Sequence, residues 1–291
     1  MSKYLELVEG SFTQEHLDKQ KNQNPYVAYS IKDGKVIYSI IPNEDKIEQY
    51  LTFTAEEDNS SIGLTKLSTN QILEYSTDTT TWNTFDTTTN ILFNNGDKVY
   101  VRGILSADNT STNYTKFKMS GKIAASGNCN AIWNYKDLNA PLKAYCGNYM
   151  FSDCASLTTA PELPATTLAE YCYYSMFRIC TSLTIAPELP ATTLAKSCYI
   201  YMFNGCTSLT AAPELPATTL ERECYAYMFY KCAKLNYIKC LATDKSALKS
   251  TYNWVSGIAS IGTFIKHPNM NNWATGVNGI PSGWTVENAV L

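Results

Sequence analysis

Hydrophobic positions repeat with a period of 26 residues through the middle of the chain. A Met-Phe pair recurs at this spacing, as does the segment Ala-Pro-Glu-Leu-Pro-Ala-Thr-Thr-Leu. The pairs are Met150-Phe151, Met176-Phe177, Met202-Phe203 and Met228-Phe229, and the segments span 160–168, 186–194 and 212–220. Self-similarity at a fixed period indicates a series of like structural units, none of which can bury its apolar face alone.

The first half of each unit is predicted to be extended. Ser182-Leu183-Thr184 reads as a short strand with its leucine pointing inward, and Pro187 and Pro190 exclude a helix from the segment that follows. Leucines at equivalent positions then form core columns. These columns are Leu157/Leu183/Leu209/Leu235, Leu163/Leu189/Leu215/Leu241 and Leu142/Leu168/Leu194/Leu220.

The second half of each unit is predicted to be helical. Residues 194–203 contain neither Gly nor Pro, and Leu194, Cys198 and Met202 are spaced i, i+4 and i+8, which is one face of a helix of about two turns. The period lies in the range of leucine-rich repeats. For residues 127–243 the pattern therefore predicts an α/β leucine-rich-repeat solenoid with 26-residue coils.

The flanking regions predict three further parts of a multi-domain chain. Thr-rich alternating runs over 46–126, separated by turn clusters, predict an Ig-like β-sandwich that acts as a spacer. Residues 1–45 are predicted to be an anchoring arm, with a short helix beginning near Ser11 and a β-hairpin around Asp33-Gly34. Residues 244–291, which carry three Trp, are predicted to be a C-terminal cap.

Charge and hydropathy remove several classes of function. The net charge of -3 argues against a nucleic-acid partner. The N-terminal residues have no apolar core and cleavage site of the secretory type, and no run of 18 apolar residues could cross a membrane. The sequence therefore favours synthesis in the cytosol without a signal peptide.

Ten cysteines are the most conspicuous candidates for chemistry. Eight form two columns, Cys146/Cys172/Cys198/Cys224 and Cys154/Cys180/Cys206/Cys232. Zinc sites use closer pairs than the spacing of eight residues within a unit, so a metal site is not predicted. Spacing alone permits disulfides along a column, whereas a reducing compartment opposes them. We interpret the cysteines as small apolar core residues.

No catalytic group is predicted. His16 and His267 have no evident partner, and the nucleophile-elbow, P-loop and zincin motifs are absent from the sequence. Glu162, Glu188 and Glu214 form a column of like charges in identical surroundings, whereas acid–base chemistry needs two different environments. The glutamates are interpreted as a solvated face or a lateral recognition stripe, and neither an enzymatic activity nor a cofactor is expected.

Tyrosine columns are the remaining candidate for contact with a ligand or partner. Tyr173, Tyr199 and Tyr225 align at the 26-residue period; so do Tyr149, Tyr201 and Tyr227, with Ser175 interrupting the second column. Aromatic ladders can bind sugars or a partner chain, and they can equally shield the interior by stacking on each other. Both interpretations of the first column stay open at this point.

The repeat block resembles the BspA-like leucine-rich repeats common in Bacteroides and other gut bacteria. The resemblance is carried by Met176-Phe177, Cys180, Ser182-Leu183-Thr184 and the segment 186–190, and the stretches 254–257, 262–264 and 279–284 resemble the usual tail of such proteins. The opening segment 25–29 is similar to attachment arms of Bacteroides phage structural proteins, including head-fibre proteins of crAss-like phages.

These resemblances imply a structural protein of a virion exterior, namely a phage head fibre or capsid decoration. Residues 1–45 would bind other virion proteins and support a homo-oligomer, while the repeats would attach to a host glycan or surface protein. Secreted members of the repeat family resemble adhesins and carry export signals or lipoprotein anchors, and the sequence departs from this pattern by showing neither, which favours the virion. The alternative is a bacterial cell-surface adhesin whose signal was removed. A glycan-active enzyme, the third class, is disfavoured because no acid–base pair is evident.

Overall fold

The computed structural model describes residues 4–6, 27–32, 35–40, 49–271 and 273–290. The chain divides into two compact units, Met1–Glu48 and Gln49–Leu291. In the first unit, the backbone forms strands β1 (Tyr4–Glu6), β2 (Val27–Lys32) and β3 (Lys35–Ile40), ordered β1-β3-β2. β2 and β3 pair antiparallel with Lys32 opposite Lys35, which is the pairing of the predicted hairpin. The helix predicted from Ser11 lies outside the described residues.

The first part of the second unit consists of two sheets, in which every neighbouring pair of strands except β11 and β12 runs antiparallel. A three-stranded sheet has the order β10-β5-β8, and a six-stranded sheet has the order β12-β11-β4-β9-β6-β7. The strands are β4 (Leu51–Ala55), β5 (Ser60–Lys66), β6 (Gln71–Ser76), β7 (Asn83–Thr84), β8 (Asn90–Phe93), β9 (Lys98–Leu105), β10 (Lys116–Ser120), β11 (Ile123–Ser126) and β12 (Leu157–Thr159).

The two sheets are packed together by apolar side chains at alternating positions. In β8, buried and exposed residues alternate along the strand, as they do on a sheet that has one face in the core. Phe53 of the six-stranded sheet contacts Phe117 of the three-stranded sheet at 5.2 Å between ring centroids, and Phe117 also contacts Phe85 at 6.0 Å. Strong alternation explains why the strands near 51, 72 and 98 were predictable.

This first part is continuous with the repeats. β12, which lies in the first repeat, pairs parallel with β11, and the N–H of Phe117 donates to the carbonyl of Met150 at 2.8 Å. The interior is correspondingly continuous, because Phe117 stacks on Phe151 at 5.2 Å between centroids. Gln49–Leu291 forms one compact unit. This division does not test the domain boundaries predicted near 126 and 243, which remain predictions.

The predicted α/β leucine-rich-repeat solenoid is wrong. The fold is almost entirely β: of the residues that the structure describes, 28% lie in strands and 2% in helix, and the sheets do not form a solenoid. The one helix among the described residues, α1 (Asn130–Asn134), lies before the first Met-Phe pair. Residues 194–203, predicted to be helical, form a run of turns instead.

Two alternating sets of hydrogen bonds replace the helix. The N–H groups of even-numbered residues bond three residues back, as from Met202 to the carbonyl of Tyr199 at 3.1 Å. Those of odd-numbered residues bond to the next repeat, as from Tyr199 to Cys224 at 3.1 Å and from Phe203 to Met228 at 3.0 Å. A helix would use every N–H within its own segment, so bonding to the neighbouring repeat excludes it.

The misleading spacing has a clear local cause. Every fourth residue of the turn run has a left-handed backbone: Ser197 has φ 59°, Tyr201 φ 56° and Gly205 φ 76°. The chain therefore returns the same face to the interior every four residues, and Leu194, Cys198 and Met202 are all buried. A spacing of four residues is common to this structure and to a helix, so the hydrophobic pattern could not separate them.

The leucine columns are largely as predicted. Leu157, Leu183, Leu209 and Leu235 are each fully buried. Beyond the last full repeat, β13 (Tyr237–Cys240), β14 (Thr263–Lys266) and β15 (Thr285–Asn288) form a parallel sheet in that order. All four residues of β15 are exposed, so this sheet ends in an open edge. No helix in the described residues is long and apolar enough to cross a membrane.

Candidate binding surface

The three glutamates predicted as a contact stripe lie on the surface. Glu162, Glu188 and Glu214 are all exposed, each within a proline-flanked segment. The carboxylate of Glu214 accepts a hydrogen bond from the ammonium of Lys239 at 2.8 Å. A shallow groove of about 380 Å³ lies between 186–190 and the next Pro-Glu-Leu-Pro segment. These residues form a rigid, solvated acidic face.

The first tyrosine column lies in the interior. Tyr173, Tyr199 and Tyr225 are each 1% exposed, and their rings stack on each other with centroid distances of 5.8 and 6.0 Å. The column ends on Trp254, whose ring lies 6.3 Å from that of Tyr225. Burial raises the pKa of all three phenols well above the ordinary value. The packing interpretation therefore fits these rings, which are closed to a ligand in this structure.

A second set of tyrosines forms a continuous, partly exposed surface, which we call the tyrosine face. Its members lie outside the core column and touch one another across successive repeats. They are Tyr114, Tyr145, Tyr149, Tyr171, Tyr174, Tyr201, Tyr227, Tyr230 and Tyr252. Eight of the nine are partly exposed, and Tyr252 is 39% exposed.

The rings of this face follow one another in a nearly unbroken line. Tyr149 contacts Tyr174 at 5.2 Å, Tyr174 contacts Tyr201 at 5.9 Å, and Tyr201 stacks on Tyr227 at 4.6 Å. Tyr227 in turn contacts Tyr252 at 5.4 Å. The stacked and edge-on geometries are those that aromatic pairs prefer.

Tyr174 closes the gap that the sequence left in this line. Ser175 replaces a tyrosine at the 26-residue period, which interrupts the column in the sequence. In the structure the Ser175 side chain is buried. The ring of the preceding residue, Tyr174, stands edge-on between Tyr149 and Tyr201. Sequence reasoning missed this residue because it compared only identical repeat positions. One signal in the sequence could have found it: the chain is rich in Tyr, with 21, and Tyr174 is adjacent to the interrupted position.

The left-handed turns explain why these tyrosines reach the surface. Tyr145, Tyr149, Tyr171, Tyr201 and Tyr227 all have φ between 55° and 56°. Their neighbours one or two residues away, such as Met202 and Phe203, are fully buried. At the left-handed positions the small side chains of Ser175 and Ser197 are buried, whereas the large tyrosine rings extend to the surface. The tyrosine face is therefore a product of the same turn run that replaces the predicted helix.

Cationic side chains border the tyrosine face. Ammonium groups lie over tyrosine rings at 4.1 Å for Lys66 on Tyr114, 5.2 Å for Lys196 on Tyr171, 5.3 Å for Lys231 on Tyr230 and 5.7 Å for Lys249 on Tyr252. Distances up to about 6 Å are typical of cation–π contacts.

Asp153 and Tyr174 of this surface have shifted pKa values. Asp153 is paired with Lys116 at 2.7 Å and Arg178 at 3.5 Å. Burial alone would raise the pKa of this carboxyl, but the two cations and the Ser152 hydroxyl outweigh burial and lower it. Burial, together with the neighbouring Tyr149, raises the pKa of Tyr174. The Tyr174 phenol therefore stays protonated at neutral pH and can donate a hydrogen bond.

The interpretation of the cysteines as core residues is confirmed. All ten are buried free thiols. The thiols of Cys180, Cys206 and Cys232 donate to phenylalanine carbonyls of the preceding repeat, at 3.1, 3.0 and 3.0 Å. Burial raises the pKa of Cys154, Cys232 and Cys240 to about 12, which makes them poor nucleophiles.

Other candidate chemistry is sparse in the described part of the chain. No group of three or more His, Cys, Asp or Glu residues there could hold a metal ion. His267 accepts a hydrogen bond at Nδ1 from the N–H of Asn269 at 3.0 Å, and His16 lies outside the described residues. The arrangement that remains is a surface suited to recognition. No protein-family model, curated protein or solved structure matches this chain.

Proposed function

We propose that this protein is a structural attachment protein of a phage particle exterior, whose repeats present the tyrosine face to the host surface. The observation that carries the proposal is the continuity of that face across successive repeats, from Tyr114 to Tyr252. Tyrosine offers a large contact area and a polar end at low entropic cost, which suits exposed recognition surfaces.

The repetition itself supports attachment. Near-identical units place similar groups at regular intervals, so one extended ligand could contact several repeats at once. Such contacts add through effective concentration, and weak individual contacts then give useful avidity. A homo-oligomer formed through residues 1–45 would multiply the effect. The proposal assigns no enzymatic activity and no cofactor to the chain.

The placement on a virion rests on the resemblance of residues 25–29 to phage attachment arms. The runner-up, a bacterial cell-surface adhesin, rests on the resemblance of the repeats to those of secreted adhesins. Both functions use the tyrosine face in the same way and differ in the structure that carries it.

Quantitative mass spectrometry of purified phage particles and of host membrane fractions tests the placement. We expect peptides from residues 1–45 and from the repeats to be recovered from particles in a constant ratio to the major capsid protein. Gold-labelled antibodies against the repeats should mark the outside of intact particles. Recovery from the host membrane fraction alone would overturn the virion proposal and favour the adhesin.

A further inference from the structure

We infer that the tyrosine face binds a linear acidic polysaccharide that lies along the line of repeats. The inference rests on the proposed attachment function and adds the chemical class of the ligand. It is carried by the spacing of the rings, by their mutual packing and by the charges that border them.

The ring spacing fits a polymer with a short repeating unit. Centroids of neighbouring rings in the line are 4.6 to 5.9 Å apart from Tyr149 to Tyr227. This spacing is close to the spacing of adjacent strands in a sheet, because successive repeats are hydrogen-bonded side by side. It is also comparable to the length of one pyranose unit, so a linear glycan can keep in register with the line.

The packing of the rings favours a hydroxyl-rich ligand over stacked bases. Tyr201 and Tyr227 lie face to face with 13° between ring planes, as do Tyr145 and Tyr171 with 6°. Their faces are therefore occupied by each other, whereas a single-stranded nucleic acid needs free aromatic faces on which its bases can stack. Ring edges remain, and the phenol hydroxyls, several of which already bond to a neighbouring side chain of this face, keep further hydrogen-bonding capacity. Both match the C–H and O–H groups of a sugar.

The charges favour an acidic ligand. Lys66, Lys196, Lys231 and Lys249 place their ammonium groups against the rings. Two acidic groups lie beside these cations: Asp153, which is already paired with Lys116 and Arg178, and Glu170, which lies close to Tyr145 and Lys196. This local excess of positive charge stands in a chain whose net charge is -3. Carboxylates repeated along a polysaccharide would meet these cations at intervals, with charge-assisted hydrogen bonds as the specific contacts.

Biolayer interferometry on the full chain tests the inference. The immobilised probes are polygalacturonate and hyaluronate as acidic polysaccharides, dextran as a neutral polysaccharide, and a single-stranded oligothymidylate. We expect binding to at least one acidic polysaccharide, weakening as salt is raised because exposed charges are screened. Binding to neither acidic polymer at low salt overturns the inference, and so does equal or tighter binding to dextran or to the oligonucleotide.

Paired charge reversals locate the site. K231E/K249E should weaken binding by about tenfold, because two exposed attractions become repulsions. K98E/K122E makes the same change of net charge at exposed residues in the strand region and should leave binding unchanged. Equal loss in both variants would mean that net charge alone attracts the polymer, which overturns a site on the tyrosine face.

Removal of two hydroxyls keeps the ring packing and tests their use. Tyr201→Phe with Tyr227→Phe should lower affinity by about three- to tenfold, a change of about 0.6–1.4 kcal/mol in binding free energy, which is the size of one net hydrogen bond. Unchanged affinity would contradict recognition by this line of tyrosines. If the protein is recovered on particles but binds no polysaccharide, this inference is overturned and the virion proposal stands. If the protein binds an acidic polysaccharide but is found only in host membranes, the virion proposal is overturned and this inference stands.

Discussion

The strand region, residues 49–126, and the repeats, residues 127–243, obtain their backbone hydrogen bonds in different ways. In the strand region, partners are distant in sequence and antiparallel, as with Phe53 opposite Val99. In the repeats, every second N–H donates to a carbonyl of the next repeat, as from Phe177 to Met202 at 2.9 Å. Alternation of side chains predicts the first arrangement correctly, whereas a four-residue spacing gives a false helix in the second.

The two regions also differ in their interiors. The strand region contains no cysteine, and its core rings meet at tilted angles, such as 52° between Phe53 and Phe117. In the repeats, Phe177, Phe203 and Phe229 stack with interplanar angles of 6° and 2°, and free thiols fill the space beside them. A structure built by repetition uses the same small set of contacts many times. Conditions that weaken one such contact therefore weaken the whole array.

Alkaline pH should separate the two regions most strongly. Nine of the buried thiols, all between residues 129 and 240, have raised pKa values because burial disfavours the thiolate. Their stabilising effect is complete below the unfolded-state pKa, near 9, and is lost as pH rises toward the folded-state values. Each contributes a fall of about 1.4 kcal/mol in the free energy of unfolding per pH unit in this range.

Together these thiols should destabilise the repeats strongly between about pH 9 and pH 10.5, because nine such falls in the free energy of unfolding are comparable to the 5–15 kcal/mol that is typical of a folded protein. Hydrogen exchange between pH 7 and pH 10.5, under reducing conditions and corrected for intrinsic rates, measures the loss of protection. Cys206→Ala removes one titrating group and should make the decline less steep. Full protection of the repeats at pH 10.5 would show that the thiols do not control alkaline stability.

A large-to-small substitution should reveal how damage spreads. Phe203→Ala leaves a cavity in the stacked column and is expected to lower the free energy of unfolding by about 3–5 kcal/mol. Phe53→Ala in the strand region should cost a similar amount and serves as the matched variant, since both side chains are fully buried. Urea denaturation measures both losses.

Hydrogen exchange then distinguishes the two variants. With Phe203→Ala, exchange should accelerate first at the N–H groups that bridge the adjoining repeats, those of Phe177 and Phe203. With Phe53→Ala, it should accelerate across β4 and β9, which pair through that residue. Identical exchange profiles for the two variants would contradict the difference in hydrogen-bond organisation.

The smallest effect concerns a single strained residue, and it has the opposite sign. Ile179 has φ 59°, and Gly205 holds the equivalent position in the next repeat. A left-handed backbone costs an ordinary residue about 1–2 kcal/mol, so Ile179→Gly should stabilise the protein by about 0.5–1 kcal/mol. The control Ile185→Gly, at an exposed residue without positive φ, should destabilise it. Thermal unfolding measures both changes, and destabilisation by Ile179→Gly would contradict the strain argument.

The sequence predicted the parts of the fold that depend on which residues are buried. The strands near Leu51, Leu73 and Val99 and the buried leucine and cysteine columns follow from apolar periodicity, which reports burial directly. The prediction of a helix at 194–203 is wrong because periodicity reports which side chains point to the interior. It carries no information about which carbonyl accepts the hydrogen bond of each N–H. That choice depends on the neighbouring repeat, which supplies the carbonyls.

The candidate surface was predictable only in part, for a related reason. The exposure of Glu162, Glu188 and Glu214 follows from their charge. Tyrosine has no such preference, so the sequence could not show that Tyr199 lies inside while Tyr201 lies outside. The two differ in backbone conformation, because Tyr201 occupies the left-handed position of the four-residue cycle and Tyr199 does not. A left-handed residue at every fourth position, once known, separates the two columns at once.

The alternation of odd and even N–H groups has a consequence for how such a chain can change in length. Because the period of 26 is an even number, each column keeps the same hydrogen-bond role from one repeat to the next. Insertion or deletion of a single residue within a turn run would exchange the two roles for the rest of that run, so that its N–H groups no longer meet their carbonyls in the next repeat. Duplication or loss of a whole 26-residue segment preserves both roles. Gene-level recombination between near-identical segments can therefore lengthen or shorten the array while keeping its ends intact, and the number of tyrosines offered to a ligand would change in step with copy number.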